Sequence, residues 1–479
     1  MSKTFGYPNG NSLINPPLRP DDNLHYEKFS DGTIKCIEDE IPFDVPNNWE
    51  WCRLNSIVDV RDGTHDTPAY VDKGIPLITS KNLIEGGIDY TNVKYISEKD
   101  ALSINERSGV NIGDILFAMI GTIGNPSMVT EDVLISIKNV ALFKFTYSDN
   151  LSNYFIMYFL DYAQEDMKKR PSGGLQPFVS LNFLRTYLVP IPPVEEQHRI
   201  ASILTDSINS IRKIEIFKNE FAISLEKVKS KILDLAIRGK LVPQDPNDEP
   251  ASVLLERIRA EKEELIKQGK IKRSKKESVI FKGSDNSYYE KVGSTAENID
   301  DQIPFDLPQG WIWCRGYSCF EGMESTKPQG KFFDYIDIDA IDNQNHCIKG
   351  TKHLPVVKAP SRASRAVRNG SVLFSLVRPY LENIAFVDKK HCNCIASTGF
   401  YVCNSNGLLL PKFMYYLMIS GYVVNGLNQF MKGDNSPSIS KDNIENWLYP
   451  VPPIKEQGNI CYKLKVTFSL IEHIEKRLN

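Results

Sequence analysis

The feature of this chain that most limits its fold is a narrow apolar stripe between residues 195 and 238. Its positions alternate in steps of three and four, and eight of the ten are apolar: Leu204, Ser207, Ile211, Ile214, Lys218, Phe221, Leu225, Val228, Ile232 and Leu235. This spacing is typical of a coiled-coil helix, whose stripe must be covered by another helix. A helix of this length would span about 65 Å, so the sequence predicts a spacer.

A second stripe of the same kind lies between residues 454 and 478. Its positions lie 260 residues after Ile200, Leu204, Ser207, Ile211, Ile214 and Lys218, and are Ile460, Leu464, Thr467, Ile471, Ile474 and Leu478. The approaches are also similar, since 188–197 reads LVPIPPVEEQ and 448–457 reads LYPVPPIKEQ. Two similar helices that each need a partner most simply pair with each other. Because the repeats would be related by a pseudo-two-fold axis, we predict an antiparallel pair.

A longer repeat surrounds these helices. Residues 41–53 read IPFDVPNNWEWCR and residues 303–315 read IPFDLPQGWIWCR, with nine identities in thirteen positions. Such a repeat indicates a duplicated domain, and we interpret its Trp residues as anchors of the first strand in a core. A chain of 479 residues is also too long for one core. The sequence therefore predicts an α+β protein, with two similar globular domains separated by long antiparallel coiled-coil helices.

The domain boundaries follow from these repeats. We predict, in order, a flexible tail, a first globular domain, a helical spacer that ends in a basic linker, a linker with a second globular domain, and a second helical spacer: 1–25, 26–194, 195–276, 277–453 and 454–479. The first domain is expected to hold strands and one helix: strands at 74–79, 113–120 and 133–145, and the helix at 153–169. Beyond it we predict helices, a flexible polar stretch and a strand: helices at 251–268 and 411–424, the polar stretch at 277–300 and the strand at 371–380.

Charge and cysteine content narrow the class of protein. The net charge of the whole chain is −3; residues 41–194 alone carry −5 and residues 303–453 alone carry +3. A polyanion would therefore need a local basic face or charges from other subunits. The nine cysteines are odd in number and lack framework spacing, which is typical of reduced thiols. Without a long apolar run, we expect a cytoplasmic protein that does not enter a membrane.

Motifs for catalysis are missing or weak. Cys392 and Cys394 lie too close together for the usual zinc chelate, and no Gly-x4-Gly-Lys-Ser/Thr loop occurs. Asp337 and Asp339 are predicted on an alternating strand, 335–340, but the Glu-x-Lys that a nuclease pair would need is absent nearby. Asn15-Pro-Pro-Leu lacks the aromatic residue of an amino-methyltransferase loop. We therefore expect a chain that binds and does not catalyse, with no catalytic residue and no metal.

The arrangement resembles one known family. Each of the two domains, about 150 residues long, is entered by Ile-Pro-x3-Pro-x2-Trp and left by Pro-x-Pro-Pro-x2-Glu-Gln into a long helix. This pattern resembles the specificity subunit of type I restriction–modification enzymes, and the resemblance covers residues 26–479. It depends on two matching sets of anchors and on residues 235–242: Pro190, Pro192, Pro193, Glu196 and Gln197, and Pro450, Pro452, Pro453, Glu456 and Gln457.

The resemblance implies a non-catalytic DNA-binding subunit that takes part in phage defence. Each target recognition domain would grip one half of a bipartite double-stranded DNA sequence, and the helix pair would fix the spacer between the halves. Modification subunits, two of them, would dock on the helices and methylate adenine with S-adenosylmethionine. Restriction subunits would join to translocate and cleave DNA with ATP and Mg²⁺. No cofactor is expected in this chain itself, because all three would belong to the partners.

Polar loops supply the candidate DNA contacts. They carry the hydrogen-bonding side chains suited to base edges and phosphates. In the first domain these are Arg61, Thr64, His65, Ser80, Lys81, Asn82, Lys138, Ser172 and Gln176. In the second they are Lys327, Arg362, Arg365, Arg378, Tyr380, Lys432, Asn435 and Ser436.

Other interpretations stay open from the sequence. Ordinary solvated turns would use the same residue types as these loops. A coiled-coil scaffold with two protein-binding domains and no DNA role is the main alternative for the whole chain. A solitary methyltransferase or nuclease is a third, which the missing motifs disfavour.

Overall fold

A computed structural model describes residues 24–29, 31–145, 151–170, 177–273 and 276–478. The chain forms two compact units, residues 1–215 and 216–479, called here the first and second unit. The boundary falls inside one continuous helix of 44 residues, Val194–Ile237. Both units mix helices and strands, and no described helix is long and apolar enough to cross a lipid bilayer.

The first unit contains fourteen described strands and the start of the long helix. The strands are β1 Tyr26–Lys28, β2 Ile34–Cys36, β3 Glu50–Arg53, β4 Asp59–Asp62, β5 Tyr70–Val71, β6 Ile75–Ile78, β7 Leu83–Ile84, β8 Gly87–Ile88, β9 Lys94–Ile96, β10 Ile115–Ala118, β11 Gly124–Met128, β12 Ser136–Ile137, β13 Val140–Lys144 and β14 Leu188–Ile191. The helices are α1 Leu54–Ile57, α2 Glu98–Ser108, α3 Asn153–Lys169, α4 Leu181–Thr186 and α5 Val194–Ile237.

Strand β10 lies at the centre of the first unit. It is buried along its whole length in the sheet β11-β10-β13-β4. Since side chains alternate across a strand, Phe117 packs with α3 residues such as Ile156, while Leu116 faces Ile78 and Ile137 of the second sheet, β12-β6-β9-β5. In that second sheet β12 and β6 run parallel, so their carboxyl ends reach the same edge.

The second unit also mixes strands and helices. Its strands are β15 Val279–Lys282, β16 Tyr288–Val292, β17 Thr295–Asn298, β18 Ile312–Arg315, β19 Phe332–Ile336, β20 Ile341–Asp342, β21 Cys347–Ile348, β22 Lys352–Pro355, β23 Ala363–Ala366, β24 Val372–Ser375, β25 Ile384–Phe386, β26 Ile395–Ser397, β27 Phe400–Cys403 and β28 Leu448–Val451. Its helices, after the end of α5, are α6 Ala251–Lys267, α7 Gly316–Cys319, α8 Pro411–Met418, α9 Gly421–Asn428, α10 Lys441–Asn446 and α11 Ile454–Leu478.

Two sheets of the second unit share part of their pairing with those of the first. The buried strand β24 lies between β25 and β27, and β26 runs parallel to β19 in the sheet β22-β19-β26-β23. One large core joins α8, α9 and β24 to the two long helices: Leu233, Ala236 and Ile237 of α5 are buried with Ile460 and Leu464 of α11.

Within the second unit the end of α5 and α11 run in opposite directions. Lys229 Nζ lies 2.7 Å from Glu475 near the end of α11. Gln244, after the end of α5, donates to Glu456 in the first turn of α11 over 3.0 Å. Residue numbers therefore rise along one segment while they fall along the other.

Several sequence predictions of helices are confirmed. Helix α3 has the predicted bounds, 153–169, because Ser152 caps its N-terminus and its apolar residues recur with helical spacing. Helices α5 and α6 begin and end within one residue of the predicted positions. Of the four predicted Trp anchors, Trp51, Trp311 and Trp313 are buried, whereas Trp49 is only half-buried.

Three predictions of local structure are wrong in the regions between these helices. The first domain holds a second substantial helix, α2, which Ser97 caps but which buries few apolar side chains. Residues 277–300, expected to be flexible, form the antiparallel sheet β15-β16-β17. The helix predicted at 411–424 is two helices, because Ser420 accepts a hydrogen bond from Val423 N–H and starts a new one.

The predicted strands are also shorter than expected. The strand predicted at 371–380 ends at Ser375, and Arg378 enters the left-handed region with φ 47°. The strand predicted at 133–145 is broken at Asn139, whose φ is 53°. The alternating strand predicted at 335–340 ends at Ile336, after which Asp337 caps a short 3-10 helix and Asp339 lies within it.

Candidate nucleic-acid interface

Each unit is joined to its long helix by the same pair of strands. In the first unit β3 pairs with β14, and Trp51 lies opposite Pro190. In the second unit β18 pairs with β28, and Trp313 lies opposite Pro450. The strand that enters each domain is thus bonded to the strand that leaves it, directly before the helix begins.

A buried glutamine fixes the first turn of each helix. Gln197 accepts a hydrogen bond from Ser152 N–H over 2.9 Å and donates to Pro192 O over 2.9 Å. Gln457 accepts from Leu410 N–H over 2.6 Å and donates to Pro452 O over 3.0 Å. Because both carboxamides bond to the backbone of their own domain, the helix direction is set relative to that domain.

Each of these strand pairs, called here a joint, also carries a repeated arginine–glutamate pair. Arg53 lies 2.7 Å from Glu27, and Arg315 lies 2.6 Å from Glu290, with all four side chains largely buried. Burial alone would raise the pKa of Glu290, but hydrogen bonds from Arg315 and Ser278 lower it below the usual value. The pair therefore holds the start of each domain against its entering strand.

In the first unit, two of the predicted loops, 61–67 and 79–82, meet the turn at Lys138 and Asn139 at the carboxyl ends of β6 and β12. Thr64 and Lys138 are paired through their backbones in an isolated β-bridge, and Ser80 Oγ donates to Asn139 O over 3.3 Å. His65 Nδ1 lies 2.9 Å from the Asn139 side chain. The left-handed Asn139 is thus the centre of this cluster, although the sequence had placed it inside a strand.

Most of these side chains are already engaged within the protein. His65 Nε2 lies 2.9 Å from Asp62, Arg61 lies 2.6 Å from Asp59, and Lys138 Nζ contacts Thr67. Asn82 is buried and completes a capping box with Thr79. Asn82 is therefore a structural residue in this arrangement. Lys81 beside it is exposed.

Two of the predicted contacts in the first domain, Ser172 and Gln176, lie outside the described residues. The sequence did not single out Arg107, which contacts Asp62 from α2. Arg107 was not predicted because the helix on which it lies, α2, was not predicted either. Arg107 and His65 together hold the buried Asp62 carboxylate at the base of the loop cluster.

In the second unit the predicted residues form two groups. Arg365 lies on β23 and pairs with Ser325 in an isolated backbone β-bridge. Lys327, two residues after Ser325, and Arg362, three residues before Arg365, lie on either side of this bridge. The Arg365 Nε is buried without a hydrogen-bond partner among the described atoms, whereas Arg362 and Lys327 are exposed.

The second group joins the loop after β24 to residues 432–438. Arg378 N–H donates to Pro437 O over 2.7 Å, and its guanidinium donates to Asn435 O over 3.0 Å. Lys432 and Ser438 bond to each other through their backbones, which closes the loop that carries Asn435 and Ser436. Tyr380 is exposed beside it.

The cations of these two groups differ from Arg61 of the first unit, which forms an ion pair with Asp59. No described carboxylate forms an ion pair with the cations of this set: Lys327, Arg362, Arg365, Arg378 and Lys432. Unpaired cations on adjacent loops are suited to a polyanion. The described residues hold no group of three His, Cys, Asp or Glu side chains placed to bind a metal ion.

The predicted seam of the long helices is only partly covered within the units. The apolar residues on it that are exposed are Leu204, Ile211, Ile214, Phe221, Val228 and Ile474. Those buried or half-buried are Leu225, Ile232, Leu235, Ile460, Leu464, Ile471 and Leu478. Near its end α5 buries Leu233 and Ala236, one position after the predicted ones, because a straight helix drifts from a strict seven-residue repeat.

Comparison with known proteins agrees with this arrangement. Residues 46–220 match the family model described as "Type I restriction modification DNA specificity domain". The chain is 26% identical to the EcoAI specificity subunit of Escherichia coli, over 89% of this chain and 78% of that one. It is 24% identical to the EcoEI specificity subunit of Escherichia coli, over 93% of this chain and 82% of that one.

A solved structure supports the likeness of fold. The chain is similar to one in a structure that concerns complex assembly and conformational transition of the type I R-M system, with a TM-score of 0.56 and 17% identity. That similarity covers 91% of this chain and 94% of the other. The resemblance expected from the sequence is therefore confirmed, and over most of its length this chain is a relative of the specificity subunits of type I restriction enzymes.

Proposed function

We propose that this chain is the DNA specificity subunit of a type I restriction–modification complex, in which each unit's recognition domain reads one half of a bipartite target. One observation carries the proposal. The same joint, with Trp51 opposite Pro190 and Trp313 opposite Pro450, attaches each domain to the start of its own long helix. Two domains built on equivalent joints can present two reading surfaces, as two half-sites require.

The long helices would set the distance between the half-sites. With 44 residues, α5 has a length of about 66 Å. Half-sites must lie on readable faces of the duplex, so their separation has to be held rigidly. An antiparallel pairing of α5 with α11, related by a pseudo-two-fold axis, would act as the ruler. The contacts of Lys229 with Glu475 and of Gln244 with Glu456 support this direction.

The loops of the second unit would make the charged contacts with DNA. Their unpaired cations can release counterions from phosphate and donate to base edges. The first domain, with net charge −5 over residues 41–194, has fewer free cations. Its contacts would depend more on neutral donors such as Ser80 and on positive charge from partner subunits.

The partners would dock on the helices. The exposed apolar residues of α5 are suited to cover by other proteins: Ile211, Ile214, Ile216, Phe217 and Phe221. Two modification subunits, which bind S-adenosylmethionine, and restriction subunits, which use ATP and Mg²⁺, would supply the chemistry. The complex would act in the cytoplasm, where its DNA substrate lies.

Methylation mapping tests the proposal. The chain is purified with its modification subunit and incubated with S-adenosylmethionine and random-sequence DNA, and methylated adenines are mapped. We expect one bipartite motif with a fixed gap. An Arg362→Ala, Arg365→Ala double variant should relax one half-site and leave the other intact. A complex that assembles but methylates without sequence preference would support the scaffold interpretation instead.

A further inference from the structure

The turn after β24 contains an arginine where the equivalent turn of the first unit contains a glycine. Both turns begin four residues after a matching buried phenylalanine, Phe117 or Phe374, and both first residues have positive φ: 76° at Gly121 and 47° at Arg378. Gly121 N–H donates to Pro177 O over 3.3 Å, and Arg378 N–H donates to Pro437 O over 2.7 Å. The backbone thus makes the same corner twice.

Glycine is the residue that this corner favours. A side chain in the left-handed region brings Cβ too close to neighbouring backbone, a cost that glycine does not carry. The backbone hydrogen bond gives no reason for arginine, because Gly121 makes its counterpart without a side chain. Strained residues persist where the side chain has a use. The use of Arg378 must therefore lie in its guanidinium.

The guanidinium is oriented and available. Arg378 is exposed, one Nη donates to Asn435 O over 3.0 Å, and no described carboxylate forms an ion pair with it. The remaining N–H groups of the fork have no partner among the described atoms. The acceptor loop is itself held by the bridge between Val377 and Ser438, so the fork is oriented before any ligand arrives.

We propose that Arg378 is the residue of the second domain that reads one guanine of its half-site, through the major-groove edge. This inference rests on the proposed function. Arginine binds the O6 and N7 acceptors of guanine with two parallel N–H groups, whereas the other bases do not present two acceptors in that position. A fork held at one Nη leaves the opposite edge free for this contact. The phosphate backbone would instead be met by the neighbouring Lys432.

The experiment compares Arg378→Gly and Arg378→Lys with wild type. Each variant is purified with the modification subunit, its melting temperature is measured, and methylated adenines are mapped on random DNA. We expect Arg378→Gly to melt no lower than wild type, because glycine suits the corner. We also expect discrimination at one G·C position of one half-site to fall about tenfold or more. Arg378→Lys keeps the charge but lacks the fork, so it should lose discrimination at the same position.

Any other outcome overturns the inference, and each such outcome has a distinct interpretation. If both variants keep the wild-type motif, Arg378 reads no base. A uniform loss across the half-site, or a lower melting temperature for Arg378→Gly, shows that Arg378 positions the loop and does not read guanine. A wild-type complex that shows no motif overturns the proposed function, and this inference with it.

Discussion

Trp311 donates its indole N–H to the buried carboxylate of Glu456 over 2.9 Å, which ties the strand entrance of the second domain to the first turn of α11. The other oxygen of Glu456 accepts from Gln244 over 3.0 Å. A single carboxylate thus connects three separate segments of the second unit. Burial raises the pKa of Glu456 above its usual value, and the charge of Asp248 adds to this effect, while both hydrogen bonds oppose it.

The pKa of Glu456 predicts how stability changes with pH. A carboxyl whose folded pKa is raised binds its proton more tightly in the folded protein. Its contribution to stability is therefore complete below the unfolded pKa and is lost as pH rises through the raised folded pKa. We expect Glu456→Gln to gain stability relative to wild type as pH rises from about 4 through that raised value, measured as melting temperature in a pH series. Glu472→Gln, an exposed substitution on the same helix, controls for the loss of one charge, and an equal pH trend in it would contradict the assignment.

Replacing the buried glutamine of a joint is predicted to lower the stability of the protein. Gln457→Ala leaves Leu410 N–H and two carbonyl groups, Leu408 O and Pro452 O, without their partner in the interior. Unsatisfied buried groups of this kind cost about 1–3 kcal/mol each, so we expect the free energy of unfolding of the second unit to fall by about 3 kcal/mol or more. Urea denaturation measures it. Gln268→Ala, on the exposed end of α6, is the matched control and should change little; a Gln457→Ala variant as stable as this control would show that the joint does not depend on the carboxamide.

Two neighbouring residues of the first domain, Asn82 and Lys81, are predicted to have different roles, one structural and one in DNA binding. Asn82 is buried in a capping box, so Asn82→Ala should lower stability by about 1 kcal/mol without changing the methylation motif. Lys81 is exposed, so Lys81→Ala should leave the melting temperature unchanged and reduce the salt dependence of DNA binding by about one unit of slope. Binding titrations at several salt concentrations measure the slope. The reverse pattern, with a changed motif for Asn82→Ala and no effect of Lys81→Ala, would move the DNA contact from Lys81 to Asn82.

Sequence reasoning predicted the elements that carry a strong local signal. Helix α3 was found to the residue because Ser152 caps it and apolar residues repeat along one face. Helix α2 was not predicted because its buried residues are few, only Ala101 and Ser108, so its sequence lacks a strong apolar repeat. The break at Ser420 was missed because both flanking segments are apolar and continue the helical pattern.

The composition of the candidate site could be predicted, but its arrangement could not. The loops with Ser80 and with His65 were chosen for their polar residues, yet the residue that joins them, Asn139, is 74 positions from His65 in the chain. Such a contact depends on the parallel pairing of β6 with β12, which no local pattern encodes. Nor does the sequence show that Asn82 is buried, since the same amide could face DNA or cap a turn.

The length of α5 predicts the spacing of the two half-sites. Residues 211–220 of α5 are exposed, so four residues inserted after Glu215 should extend the helix without disturbing a core. Four residues add about 6 Å, close to the rise of two base pairs, and turn the helix by a little more than one full turn. We expect methylation mapping to show both half-sites unchanged and the gap between them longer by one or two base pairs. A variant in which Glu215 and Lys218 are replaced by Ala, at constant length, should keep the wild-type gap; an insertion variant with that same gap would show that α5 does not set the spacing.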